Sequence, residues 1–148
     1  MRVLLDTNIL VRLPQPADKN HAACLDALEK LPKDGFEICV VPQNLYEFWA
    51  VVTRPVDVNG LGFSPAATEQ AIEQICDMFT FLKDERTIYQ YWLKLVANFK
   101  VLGRNSHDAR LVAALDRHRI SHLLTLDAKD FKRFEHITIL TPQSVLAK

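Results

Sequence analysis

The sequence predicts an open α/β sandwich, a central and mainly parallel sheet covered by helices on both faces, folded as a single domain over residues 1–148. Three observations predict it. Short apolar runs of strand length alternate with longer segments of helical periodicity, the pattern of βαβ units whose crossover helices cover both faces of a sheet. Gly, Pro and Asp/Asn punctuation falls between those segments rather than inside them. A chain of 148 residues, 49% hydrophobic and 24% charged, can fill one substantial core and is too apolar to be disordered.

Residues 3–5 (Val3, Leu4, Leu5) form an apolar run that reads as a buried strand. A helical turn through Ile9, Leu10 and Val11 follows, stopped by Pro14 and Pro16. Residues 20–31 read as a helix, with Leu25, Leu28 and Leu31 at helical spacing, and Asp34-Gly35 as a turn. Residues 36–41, rich in β-branched side chains, are the second strand. Pro42 suits the first turn of a helix that runs to about Thr53 and closes at Arg54-Pro55. Residues 55–64, with Asn59-Gly60 and Gly62, read as a mobile loop.

Ser64-Pro65 is a helix start, the hydroxyl capping and proline in the first turn. Ala67, Ala71, Ile72, Ile75 and Phe79 give that helix an apolar stripe, and residues 79–82 suit a short strand. Residues 84–99 read as helical, with Ile88, Trp92, Leu95, Val96 and Phe99 on one side. Ser106 is placed as the cap of a helix ending near His118. A strand over 122–126, a helical turn over 130–134 and a last strand over 136–140 complete the order.

Composition excludes several function classes. No apolar run approaches the roughly 20 residues that span a bilayer. An acid at position 6 argues against a signal peptide, so a cytoplasmic location is expected. Cys24, Cys39 and Cys76 are far apart and form no C-x-x-C pair, which suits small core hydrophobes rather than disulfides or zinc. Net charge is zero, yet residues 100–136 carry eight Lys and Arg against five Asp and Glu. That excess hints at a phosphate-contacting face, with Arg104, Arg110 and Lys129 as first candidates. The five histidines, His21, His107, His118, His122 and His136, are scattered, and none is given a catalytic role.

Four carboxylates stand out. Asp6 and Asp127 directly follow predicted strands, at the sheet end where open α/β proteins bind ligands. Each could also be an ordinary helix cap or turn residue. Glu47 is the only charged residue between Glu37 and Arg54. On a helical wheel it lies opposite Leu45, Phe48 and Val52, which suits a solvated position. Yet Tyr46, Ala50 and Val51 flank that face, and a carboxylate in such company needs a partner or an aqueous cleft. Asp108 sits in the first turn of its helix, where an acid also complements the helix dipole. Taken together, converging carboxylates repel and cannot all stay charged unless a cation joins them. Oxygen-only ligands suit Mg²⁺ or Mn²⁺, whose bound water can serve in phosphodiester hydrolysis.

These residues also resemble a family. Asp6-Thr7-Asn8 after the first strand resembles the D-T-N opening of PIN-domain nucleases. Glu47 in Asn44-Leu45-Tyr46-Glu47, Asn105-Ser106-His107-Asp108-Ala109-Arg110, and Thr125-Leu126-Asp127-Ala128-Lys129-Asp130 resemble the later motifs in order and spacing. The short length and the stretch from Val52-Thr53-Arg54-Pro55 to Gly60-Leu61-Gly62 are most similar to VapC-type toxins of bacterial toxin–antitoxin pairs. The resemblance implies a PIN-like sandwich and an Mg²⁺- or Mn²⁺-dependent endoribonuclease. In it Asp6 and Asp108 are the principal metal ligands, Glu47 binds metal or orients water, and Asp127 completes the acidic pocket. Asn8 and Thr125 would hold the carboxylates by hydrogen bonds, and Asp130 would be a helix cap. Partners implied are an RNA substrate, with transfer or ribosomal RNA loops tried first, a cognate antitoxin that lays an apolar segment in a groove near the acids, and a second copy of the chain. Trp49 suggests apolar surface for such contacts, although core filling is its simpler use.

Rival readings fit less well. A haloacid-dehalogenase-like phosphotransferase needs a second Asp where Asn8 stands, and a receiver-like module needs an acidic pair where Leu5 precedes Asp6. A PIN-like domain that only binds RNA or protein is disfavoured because all four acids are present.

Overall fold

The apolar runs become five strands: β1 (Arg2–Leu5), β2 (Glu37–Val40), β3 (Thr80–Phe81), β4 (His122–Leu124) and β5 (Thr138–Leu140). In the computed structural model, which describes residues 1–148, they form one sheet in the order β3-β2-β1-β4-β5. Every neighbouring pair is parallel. Val3 in the central strand pairs with Ile38 on one side and His122 on the other. The chain winds outward from β1 through β2 to β3, then returns to lay β4 on the opposite edge of β1. The direction of winding thus reverses between β1 and β4, and their carboxyl ends form the switch point at which open α/β sheets bind ligands.

Side chains alternate across the sheet, as the strand period requires. Val3, Leu5, Ile38, Val40 and Leu124 enter one layer, with α1 (Thr7–Leu10), α2 (His21–Lys33), α3 (Pro42–Thr53), α4 (Pro65–Met78) and α7 (Pro142–Leu146). Leu4, Cys39 and Leu123 enter the other, with α5 (Ile88–Asn98) and α6 (Asn105–Arg117). This is the expected α/β/α sandwich. Cys24 and Cys39 are buried and all three cysteines are free thiols, in keeping with a packing role. No helix is long and apolar enough to cross a membrane.

Two helix starts follow their local chemistry. Pro42 opens α3, and the Ser64 hydroxyl accepts from the Ala67 amide at 3.1 Å to cap α4. Other boundaries differ from expectation for tertiary reasons. Helix α5 begins at Ile88 rather than residue 84, because residues 84–87 turn their side chains across to α6. Glu85 pairs with Arg117 at 3.3 Å, and Arg117 Nε donates to the Thr87 hydroxyl at 2.6 Å. Helix α6 begins at Asn105, and the Ser106 hydroxyl does not cap it. The last helix, α7, was not anticipated, although Thr141-Pro142 with Ser144 is a reciprocal capping arrangement.

The segment 55–64, expected as a mobile loop, carries its own backbone hydrogen bonds. A 3-10 turn at Val56–Val58 is followed by amide bonds from Gly60 to the Pro55 carbonyl (3.0 Å), Gly62 to Arg54 (2.9 Å) and Phe63 to Val52 (2.8 Å). Gly60 is required there, since a Cβ would lie 1.9 Å from the Arg54 carbonyl oxygen. Trp49 does not fill the core. It is 39% exposed and, with Leu45, Tyr46 and Ile72, lines an apolar groove between α3 and α4.

Candidate active site

The switch point between β1 and β4 is lined by side chains that tie the two strand ends together. Strand β4 ends at Leu124 rather than at residue 126 because side chains there replace the sheet's backbone ladder. The Leu126 amide donates to Asn8 Oδ1 (3.2 Å), and the Asp127 amide to the Thr125 hydroxyl (3.0 Å). That hydroxyl, wholly buried, donates to Asp6 Oδ2 at 2.7 Å. Asn8 Nδ2 donates to Thr125 Oγ1 (3.2 Å) and to Asp127 Oδ2 (3.3 Å). Asp6 and Asp127, the two acids expected at strand ends, are therefore joined through Asn8 and Thr125, the two residues expected to hold them. Asp6 is half-buried and Asp127 is exposed.

Glu47 arrives from the neighbouring helix. Asn44, one turn before it, is fully buried, and its Nδ2 donates to the Leu5 carbonyl at 2.9 Å while its Oδ1 accepts from the Val41 amide at 2.8 Å. This pins the start of α3 to the end of β1. The Thr7 hydroxyl, within reach of Asn44 Nδ2 at 3.3 Å, donates to Glu47 Oε1 at 3.3 Å. The half-buried Glu47 thus faces the switch point with a partner, as a carboxylate in an apolar helix must. Thr7, Gln43 and Asn44 were not singled out in the sequence. Gln43-Asn44, the only other polar residues between Ile38 and Thr53 apart from Tyr46 and Glu47, were the signal available.

Asp108 comes from the first turn of α6 and accepts no hydrogen bond from another side chain. Its neighbours act through charge. Asp130, on the 3-10 turn Ala128–Phe131, and Glu47 raise its pKa, while His107 and Arg133 lower it. Asp130 therefore bears on the cluster and is not simply a cap. Its spacing of three from Asp127 placed both acids on one turn, but spacing alone could not show that it faces α6. His107 and Arg133 are the basic groups whose charges lower the Asp108 pKa. Arg110 folds onto Gln43 Oε1 (3.2 Å) and Asp84 (3.5 Å), and Gln43 Nε2 donates to the His107 carbonyl (2.8 Å). Arg104 and Lys129 are exposed.

The cluster is electrostatically crowded. Burial raises the Asp6 carboxyl from 3.8 to about 7, with the charges of Asp108 and Glu47 adding and the Thr125 hydroxyl opposing. Burial, then Asp130 and Glu47, raises Asp108 to about 6. Acids from the end of β1, from α3, from α6 and from the Ala128–Phe131 turn thus bear on one place, where they disfavour the charged forms of Asp6 and Asp108. A divalent hard cation fits that need by charge and by donor type, the oxygens of Asp6 and Asp108 foremost. No three His, Cys, Asp or Glu side chains are close enough together to form a closed ligand set, so the fit is one of charge and chemistry.

Comparison with known proteins agrees with this geometry. A family model described as PIN domain matches residues 3–137. No curated protein sequence matches the chain. Among solved structures, VapBC2 from Rickettsia felis, bound to a DNA fragment from its promoter, superposes with a TM-score of 0.73 at 16% identity, over 95% of this chain and 98% of that one. A toxin–antitoxin complex from Klebsiella pneumoniae gives 0.67 at 22% identity, over 95% and 97%. VapC20 from Mycobacterium tuberculosis, described as a sarcin-ricin loop cleaving toxin, gives 0.62 at 16% identity, over 82% and 86%. At such identities these three are alike in fold.

Proposed function

Since the chain belongs to the PIN-domain family, we propose that residues 1–148 form one nuclease domain, an Mg²⁺- or Mn²⁺-dependent endoribonuclease that acts in the cytoplasm as the toxin of a type II toxin–antitoxin pair. The observation that carries the reading is the convergence of Asp6, Glu47 and Asp108 from three separate elements on the switch point of the sheet. There burial and the charges of Asp108 and Glu47 raise the Asp6 carboxyl, and burial, Asp130 and Glu47 raise that of Asp108. A structural ion-pair network would match such acids with cations. Here the partners of Asp6 and Glu47 are hydroxyls, which orient a carboxylate without neutralising it.

The residues take the following roles. Asp6 and Asp108 are the principal metal ligands, Glu47 binds metal or orients water, and Asp127 completes the pocket. Asn8 and Thr125 hold Asp6 and Asp127 in place, which is what hydrogen bonds behind a ligand do. Mg²⁺ or Mn²⁺ held there would supply Lewis-acid stabilisation of the phosphate and would lower the pKa of a water, so that the water gives up a proton more readily as it attacks phosphorus in line. The chain offers no convincing nucleophile of its own, so the products should carry 5′-phosphate and 3′-hydroxyl ends. Arg104, Arg110 and Lys129 remain the candidates for holding the RNA backbone, now with His107 and Arg133 beside them.

The partner reading is supported by the groove of Leu45, Tyr46, Trp49 and Ile72, on the helix that carries Glu47. It suits the apolar segment of an antitoxin, whose Arg could also enter among the carboxylates. A homodimer belongs to the same reading. The sarcin-ricin loop activity of the Mycobacterium tuberculosis neighbour supports looped RNA as the substrate, ribosomal or transfer RNA first. The test is cleavage of such RNAs with Mg²⁺ or Mn²⁺ and with EDTA, followed by end-group analysis. Metal-dependent cutting with 5′-phosphate ends is expected. A 2′,3′-cyclic phosphate, or undiminished cutting in EDTA, overturns the mechanism.

A further inference from the structure

Beside Asp108 along the chain lies a cavity of about 450 Å³ between α5 and α6, lined in part by His107 and Arg110, whose aromatic wall on α5 has no role in the reading above. Such a volume is within the usual range of small-molecule sites, about 300–1,000 Å³. It is continuous with the acidic cluster through the chain itself. Ser106 and His107, which line it, immediately precede Asp108, and the charge of His107 acts on Asp108. Gln43, bonded to both His107 and Arg110, stands between the cavity and Glu47 one turn further along α3.

The wall on α5 is aromatic and held in place. The Trp92 indole N–H donates to the Ser106 carbonyl at 2.9 Å, which orients the ring. The Tyr89 ring lies 6.2 Å from it with planes 31° apart, and Tyr89 is 63% exposed. The charges at the rim are mostly in use. Asp84 pairs with Arg110 at 3.5 Å and Glu85 with Arg117 at 3.3 Å. Arg86, exposed on the same rim, has no acid within salt-bridge distance. A flat π surface beside one free guanidinium matches an unpaired nucleotide, base against ring and phosphate against Arg. The groove on α3 contrasts with this. Its lining is wholly apolar and suits a peptide.

We propose that this cavity is a nucleotide subsite, in which an unpaired base neighbouring the scissile phosphate stacks on Tyr89 while Arg86 holds the adjoining phosphate. The proposal rests on the ribonuclease reading, yet the two can fail separately.

The test measures binding of a fluorescein-labelled single-stranded hexauridylate by anisotropy in Mg²⁺, to the full chain carrying Asp6→Asn so that nothing is cut. Adding Tyr89→Ala should weaken binding about tenfold, whereas Tyr89→Phe should hold it within about twofold. A hexamer series with one abasic position should contain one member that binds the parent chain about tenfold less well, and on that member Tyr89→Ala should cause no further loss. Arg86→Ala should reduce the salt slope of binding by about one. Unchanged affinity in Tyr89→Ala, equal losses on every abasic member, no oligonucleotide binding at all, or a change from dimer to monomer in light scattering each overturns the subsite. The last would make this face a subunit contact. Tyr89-dependent binding by a wild-type chain that cuts no RNA keeps the subsite and sinks the ribonuclease reading. Metal-dependent cutting indifferent to Tyr89→Ala does the reverse.

Discussion

Asp6 and Asp108 belong to one acidic cluster but are held in opposite ways. Asp6 leaves the central strand into a mesh of hydrogen bonds, with Thr125 on its carboxylate and Asn8 and Asp127 behind Thr125. Asp108 stands on the open first turn of α6, with no side chain bonded to it and only charges around it. One carboxylate is fixed before anything binds. The other has no such bond. On the proposed reading, a cation and then a bulky phosphate would be accommodated at the less constrained acid on α6 rather than by rebuilding the sheet.

The largest effect that would sharpen this contrast comes from removing either charge. Asp6→Asn and Asp108→Asn should each lower RNA cleavage by roughly two orders of magnitude or more with circular dichroism unchanged. Their glutamates should separate them. Asp108→Glu has room to adapt and should keep measurable activity, whereas Asp6→Glu, confined by Thr125, should not. Equal activity in the two glutamate variants would break the comparison.

A smaller effect tests the mesh. Thr125→Val keeps the shape but removes the hydroxyl bonded to Asp6, and activity should fall by about 10- to 100-fold. The fold-change should be the same at several RNA lengths, because the loss lies in positioning and not in RNA contacts. Rates within about twofold of wild type would show that Asp6 needs no such support.

Protonation gives a third test. Both carboxyls titrate higher when folded, Asp6 at about 7 and Asp108 at about 6 against 3.8. Each therefore favours folding most fully below pH 4, and that contribution is lost as pH rises through the folded values. In EDTA the melting temperature should fall between pH 5 and pH 8, and Asp6→Asn should flatten the fall. Each kcal/mol recovered is worth about 2–4 °C in a chain of this size. Metal ions should raise the melting temperature at pH 8 more than at pH 5. A melting curve indifferent to both substitution and metal would mean the crowding has no energetic consequence. In the same experiment Asp130→Asn should lower the pH at which Asp108 titrates, since a raising charge is removed. Asp127→Asn should leave it in place.

The smallest effects belong to the exposed cations. Arg104→Ala and Lys129→Ala should each weaken RNA binding uniformly across sequences and lower its salt slope by about one. A change confined to one RNA sequence would make either residue a base contact instead.

Much of this was legible in the chain alone, for a local reason. Strand runs, helix starts such as Pro42 and Ser64, and the acids directly after β1 and near the end of β4 depend on periodicity and on neighbours a few residues away. The order of strands and helices, the sandwich class and the positions of Asp6 and Asp127 at the sheet end followed from those patterns. Convergence did not. Thr125 reaches Asp6 across 119 residues, and Asn44 reaches Leu5 across 39. The first depends on β4 lying beside β1 rather than beside β3 and the second on β2 lying beside β1, and no local pattern encodes either. The same holds where α6 was misread. Ser106 had the chemistry of a cap, but the helix begins one residue earlier, at Asn105, so Ser106 lies inside its first turn. The sequence favoured Asp127, which directly follows the strand, and read Asp130 as a helix cap. Only the packing of their turn against α6 set Asp130 beside Asp108 and left Asp127 with Asn8, because a side chain's charge acts on whatever the fold brings near it.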